Sequence, residues 1–186
     1  MLRNLTLALG LLASPALATG LSIDVAGEGG AKGTVTIDLF EDVAPNHVAQ
    51  ITALASSGQY DGVVFHRVID GFMAQTGDVQ FGDINDGFNI RLAGTGGSDL
   101  GNIKAEFSDL SFDRGVVGMA RSQSPDSANS QFFIMFEPGP FLNGQYTIVG
   151  KVTDGMDVVD GIKRGHPRSG AVSGEPDRMT KVTVTP

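Results

Sequence analysis

The chain contains no cysteine, which excludes a disulfide framework, a thiolate metal site and a lipid-modified N-terminal cysteine. Basic residues are also scarce. Against 21 Asp and Glu there are only 13 Lys and Arg, for a formal net charge of −8, and the basic residues nowhere form a run. A surface of that sign is repelled by phosphate backbones and anionic lipid, so nucleic acid is not expected as a partner. The usual catalytic fingerprints are missing as well. GEGGAKG does not satisfy G-x-G-x-x-G, Gly150-Lys151 is followed by Val152 rather than Ser or Thr, and no G-x-S-x-G elbow occurs. His47, His66 and His166 lack metal-site spacing, so no metal is expected. Taken singly, His47 reads as a helix surface residue and His166 as a loop residue. No internal repeat or low-complexity linker interrupts the chain.

Long apolar runs are lacking too. The longest candidate, within MLRNLTLALGLLASPALATG, is broken by Ser14-Pro15, well short of the roughly 20 apolar residues that a membrane span needs. With Arg3 ahead of it and Ala16-Leu17-Ala18 after it, residues 1–18 read as a secretory signal peptide cut after Ala18. Cleavage removes Arg3 and leaves the remainder one unit more acidic. An export signal without disulfides fits a bacterial periplasm, with no membrane contact after cleavage. Residues 19–186 suffice for one domain with a hydrophobic core.

What is present is mostly β-type. LSIDVAG and TVTIDLF alternate apolar and polar positions across a glycine-rich turn, as the strands of a hairpin do, with Val35, Ile37 and Leu39 facing inward. APNHVAQITALASSG places Pro45 at a helix start, Val48, Ile51, Leu54 and Ala55 at helical spacing, and Gly58 as the stop. From Val63 onward short β-rich runs recur between Gly, Asp, Ser and Asn clusters, which is the rhythm of a barrel or sandwich. A second short helix is expected at about Met156–Ile162. The fifteen residues VQFGDINDGFNIRLA between Asp78 and Gly94 exceed an ordinary connection. They are expected either to be functional or to carry a small hairpin, with DINDG read as a solvated turn.

One stretch stands apart. FHRVIDGFMAQTGD, residues 65–78, sets His66 and Arg67 ahead of the apolar Phe72–Ala74 and ends that run with Gln75. On its residues alone this is also a surface hairpin whose Arg67 and Gln75 face water. Taken with GMARSQSPDSANSQFFIMF, PFLNGQY and IVGKV, in that order, it resembles the cyclophilin family of peptidyl-prolyl cis-trans isomerases, and the match runs from about Leu21 to Val184. The resemblance implies a mainly β fold, a closed eight-stranded antiparallel β-barrel capped by two α-helices. It also implies a groove on the barrel's outer surface built from Arg67, Phe72, Met73, Gln75, Ala120, Arg121, Gln131, Phe133, Phe141, Leu142 and Tyr146, with His66 beside it. Three of these differ from the best-known pattern: Arg121 stands where many members have Asn, Phe141 where they have Trp, and Tyr146 where they have His.

The implied activity is rotation about X-Pro bonds, and it assigns roles. Arg67 is the expected hydrogen-bond donor to the twisted prolyl nitrogen, with Gln75 orienting it. Phe72, Met73, Phe133 and Leu142 are the expected cup for the proline ring. No cofactor is implied, because the reaction transfers no proton, group or electron. The partners would be proline-containing polypeptides, met by a monomer. The alternative is a holdase or binding module that grips proline segments in the same groove.

Overall fold

The computed structural model describes Thr19–Pro186; the expected signal peptide and its cleavage site lie outside the described residues. The elements run β1 (Gly20–Ala26), β2 (Lys32–Leu39), α1 (Pro45–Ser56), β3 (Arg67–Ile69), β4 (Met73–Thr76), β5 (Val116–Met119), β6 (Phe132–Met135), β7 (Ile148–Asp154), α2 (Met156–Gly161) and β8 (Arg178–Thr185). All eight strands join one antiparallel sheet in the order β3-β4-β6-β5-β7-β2-β1-β8. That sheet curls, and its two edges meet. Just ahead of β3, Phe65 N–H donates to Asp177 O at 2.9 Å and Met179 N–H donates to Val63 O at 2.9 Å. The expected eight-stranded barrel with two helices is therefore present, closed by a seam of a few backbone bonds rather than by a full ladder.

Period-two alternation sorts side chains to the two faces of this sheet. Val35, Ile37 and Leu39 of β2 point inward as expected and join Leu21, Ile23, Phe65, Ala74, Val117, Met119, Phe132 and Ile134 in the main core. The neighbours of those residues point the other way. Met73, Val116, Phe133 and Met135 form a second apolar cluster with Phe112, Leu142 and Ile148. The barrel wall is thus apolar on both faces at β4, β5 and β6, which is why FFIM and VVGM read as unbroken hydrophobic runs.

Helix α1 buries Val48, Ile51, Leu54 and Ala55, as its spacing predicts. It ends in a Schellman arrangement: Gly58 adopts φ +74°, and Gly58 and Gln59 N–H donate to Ala55 and Leu54 carbonyls, each at 3.0 Å. Its start is unusual. Ala44 at the N-cap position supplies no side-chain acceptor, and Glu106, 60 residues beyond Asn46, fills the role. Its Oε1 accepts from Asn46 N–H at 3.1 Å and its Oε2 from His47 N–H at 3.0 Å. Oε2 also takes the His47 ring Nδ1 at 2.5 Å. His47 is accordingly fully buried, which corrects the surface position expected of it. The helical period shows which residues are half a turn from the core, but not that a distant loop covers that side.

The long connection after Asp78 forms turns and makes no hairpin strands of its own. Its DINDG segment folds back on its own backbone, with Asp83 Oδ1 accepting from Asn85 N–H at 2.8 Å. His166 lies in an exposed loop, as expected.

Candidate active site

The register of β3, β4, β6 and β5 lines up the site. Arg67 pairs with Gln75, Gln75 with Phe133, and Phe133 with Gly118, so Arg67, Gln75 and Phe133 project from one rank on the outer face. Gly118 makes room there. A Cβ on it would lie 2.6 Å from both the Phe112 and Phe133 rings, which stack with centroids 5.8 Å apart. The segment after β6 covers this face and supplies Phe141, Leu142 and Tyr146. Tyr146 meets Phe133 edge-on at 5.9 Å and Phe72 packs on Phe141 at 5.5 Å.

These residues enclose a cavity of about 410 Å³ lined by Arg67, Phe72, Met73, Gln75, Ala120, Arg121, Phe133, Phe141, Leu142, Gln145 and Tyr146. Ten of the twelve residues expected at the site meet here. Gln131 lines a neighbouring cavity of about 640 Å³ that shares Gln75, Ala120 and Arg121 with the first. His66 lines neither. It is buried behind the groove, with both ring nitrogens lacking a hydrogen-bond partner among the described residues. Gln145 is the residue that motif reading missed. Its carbonyl accepts from Arg121 Nη2 at 3.0 Å and its amide donates to Phe141 O at 2.9 Å. A backbone acceptor carries no side-chain signature in sequence.

Arg121 ties the groove's rim together. Besides Gln145 it donates to Ser122 O at 2.9 Å, and its guanidinium lies 4.4 Å from the centre of the Tyr146 ring, a cation–π contact. Phe141 is the open edge of the cup, at 63 % exposure, whereas Met73 and Leu142 form its floor at 1 % and 6 %.

Arg67 is half-buried and held at two atoms. Its Nε donates to Ser169 O at 3.2 Å and its Nη1 to Gln75 Oε1 at 3.2 Å. Its Nη2 makes no hydrogen bond among the described residues, so two N–H groups of a fixed fork remain for a ligand. Burial lowers its pKa, with Tyr146 opposing, yet a guanidinium keeps its charge at any working pH. His66 is different. Burial first, with Arg67's charge adding and Asp78's opposing, brings its imidazole down to about 4, so it stands neutral at pH 7. The arrangement offers a permanent cationic donor beside an apolar socket, and the cavity lining carries no carboxylate and no histidine, so what it supplies is polarisation and orientation.

Residues 22–184 match the family described as cyclophilin type peptidyl-prolyl cis-trans isomerase/CLD. A probable peptidyl-prolyl cis-trans isomerase of Brucella suis is 59 % identical over 152 residues, covering 82 % of this chain and 78 % of that protein. A peptidyl-prolyl cis-trans isomerase of Arabidopsis thaliana is 35 % identical over 158 residues, covering 82 % and 90 %. The crystal structure of a Cryptosporidium parvum cyclophilin aligns with a TM-score of 0.70 at 27 % identity over 90 % of this chain and 99 % of that one, and was solved in the presence of the dipeptide Ala-Pro.

Proposed function

The chain belongs to the cyclophilin-type peptidyl-prolyl cis-trans isomerases, and from that premise we propose how its groove performs the reaction and where it acts. The substrate barrier is about 18 to 20 kcal/mol because the amide nitrogen's lone pair is delocalised into the carbonyl. The two X-Pro isomers differ by only about 0.5 to 1 kcal/mol, so catalysis acts on the barrier alone. In the twisted amide that delocalisation is lost, and the prolyl nitrogen becomes pyramidal and a stronger hydrogen-bond acceptor. A donor already aimed at it favours the twisted state over either planar one.

Arg67 is that donor. The observation that carries this reading is its position: Arg67 lines the same cavity as Phe72, Met73, Phe133 and Leu142, with Nε and Nη1 held by Ser169 and Gln75 and Nη2 making no hydrogen bond among the described residues. Gln75 orients the fork, and the apolar wall anchors the proline ring. A holdase would need the socket alone; a charged fork held at two atoms beside it favours catalysis.

The reaction needs no titrating group, which gives a test. Because Arg67 stays charged and His66, down at about 4, stays neutral, kcat/KM for an X-Pro tetrapeptide should vary less than about twofold from about pH 5.5 to 8.5. NMR exchange spectroscopy on residues 19–186 measures it directly. A bell-shaped profile would point to proton transfer and reject the mechanism.

The enzyme is further proposed to act as a monomer on proline-containing segments of exported polypeptides in a bacterial periplasm, after loss of residues 1–18. The supporting features are the short apolar run, the Ala16-Leu17-Ala18 site and the absence of cysteine. Mass spectrometry of the protein recovered from fractionated cells should find an N-terminus at Thr19. Recovery of the intact leader from the cytoplasmic fraction would reject export.

A further inference from the structure

Asp78 is fully buried, and no part of the chemistry above uses it. Its two oxygens are divided between the ends of the long connection. Oδ1 accepts from Gln80 and Phe81 N–H at 3.1 and 2.9 Å as the chain leaves β4. Oδ2 accepts from Gly94 and Gly96 N–H at 2.6 and 2.9 Å as it returns. Four backbone donors satisfy a buried carboxylate and at the same time fix where Gly96 lies.

From Gly96 a single line of hydrogen bonds runs to the guanidinium. Gly96 O accepts from Gln131 Nε2 at 2.8 Å, Gln131 Oε1 accepts from Gln75 Nε2 at 2.9 Å, and Gln75 Oε1 accepts from Arg67 Nη1 at 3.2 Å. The direction of this line is forced from both ends. A carbonyl oxygen can only accept, so Gln131 must turn its NH2 toward Gly96. A guanidinium can only donate, so Gln75 must turn its oxygen toward Arg67. Neither amide can flip without breaking a bond at each end, so the position of Gly96 sets both.

We infer that Asp78 is a positioning residue for X-Pro rotation: by clamping both ends of the connection between β4 and Gly96, it sets the Gly96–Gln131–Gln75 relay that holds Arg67's fork at the cavity. The inference rests on Arg67 being the donor. The connection is thereby part of the active site's support, although most of it lies outside the cavity wall.

Two variants test this. Asp78→Asn keeps the shape but turns an NH2 toward backbone N–H groups. Gly96→Ala keeps the carboxylate but puts a Cβ 2.4 Å from Asp78 Oδ1 and 2.8 Å from Gln80 Cβ, so that Gly96 or the carboxylate that clamps it must shift. Each should lower kcat for an X-Pro tetrapeptide about tenfold while KM changes less than about twofold, because the apolar cup is untouched and a misaimed donor costs rate rather than binding. The Gln75 and Gln131 side-chain amide NMR signals should move in both variants. In an Arg67→Ala background neither change should slow the residual rate further. If Asp78→Asn does not fold, Gly96→Ala decides alone. A kcat within twofold of the parent, a loss confined to KM, or a further slowing in the Arg67→Ala background overturns the positioning role. An Arg67→Ala enzyme with normal turnover instead overturns the donor assignment on which it rests, so the two failures are told apart.

Discussion

Replacing Arg67 with alanine is expected to lower kcat/KM for X-Pro rotation a hundredfold to a thousandfold while leaving the unfolding midpoint nearly where it was. The rate loss corresponds to about 2.7 to 4.1 kcal/mol of transition-state stabilisation, the range found when a preorganised donor is removed from a developing charge. The fold is spared because Arg67 holds up little else. It is half-buried, its partners are a backbone carbonyl on an exposed loop and a Gln75 amide that stays bonded to Gln131, and such polar contacts contribute about 1 kcal/mol or less each. Arg67→Lys is the informative companion. It keeps the charge but loses the fork that engages Gln75 and Ser169 while lining the cavity, so it should recover only a small part of the lost rate. Exchange spectroscopy on a tetrapeptide gives the rates, and urea titration gives the midpoints. Parent-like turnover in the alanine variant would remove the donor from the mechanism.

Replacing Glu106 with alanine should do the reverse, costing stability on the order of 2 to 4 kcal/mol with the groove chemistry intact. Two losses combine: among the described residues, the side-chain cap on the start of α1, worth about 1 kcal/mol, and the one hydrogen-bond partner of a buried ring, worth about 1 to 3 kcal/mol. His47 Nε2 is already unpartnered, so the variant leaves that imidazole with no hydrogen bond at all. In a domain of this size the midpoint temperature should fall by about 5 to 15 °C, readable by calorimetry. A fall of less than about 2 °C would mean that water replaces the carboxylate without cost.

Glu106 and His66 separate two acid-dependent losses. Burial pushes the Glu106 carboxyl up, but the hydrogen bonds from the His47 ring, the His47 and Asn46 N–H groups and the Asn46 side chain outweigh it and hold it below its ordinary value. Its contribution is therefore present above the ordinary carboxylate range and is lost as pH falls through the folded value. His66 acts earlier. Its imidazole goes from an ordinary 6.5 to about 4 on folding, so the unfolded chain binds the proton first. Stability on the order of 3 kcal/mol is then lost as pH falls from 6.5 to 4. A His66→Asn variant should flatten that upper window and leave the lower one, while Glu106→Gln should do the opposite.

Much of this was legible in the chain. The hairpin, both helices and the strand segments stand where alternation, helical spacing and turn residues put them, because those signals depend on neighbours within about four positions. Gly58 is one example: the left-handed conformation that ends α1 is local, and so is its sign in sequence. The groove residues were legible only jointly, as ordered motifs. Singly, Phe133 and Leu142 are indistinguishable from core, and physically they are core, belonging to a second cluster on the barrel's outer face. Periodicity could not sort inside from outside where β5 and β6 are buried on both faces.

By itself the sequence determined the sign of the surface charge, the absence of thiol chemistry, the strand and helix segments, and the company that Arg67 keeps with an apolar run and Gln75 across one hairpin. Tertiary structure alone decided that Ser169 holds Arg67 across 102 residues, that Glu106 caps α1 and buries His47, and that Asp78 reaches the guanidinium through Gly96 and Gln131. The reason is the range of the interactions. Local backbone preference writes itself into adjacent residues, whereas a hydrogen bond to a distant carbonyl or amide depends on where barrel closure brings the backbone, and a backbone group looks the same at every position of the chain.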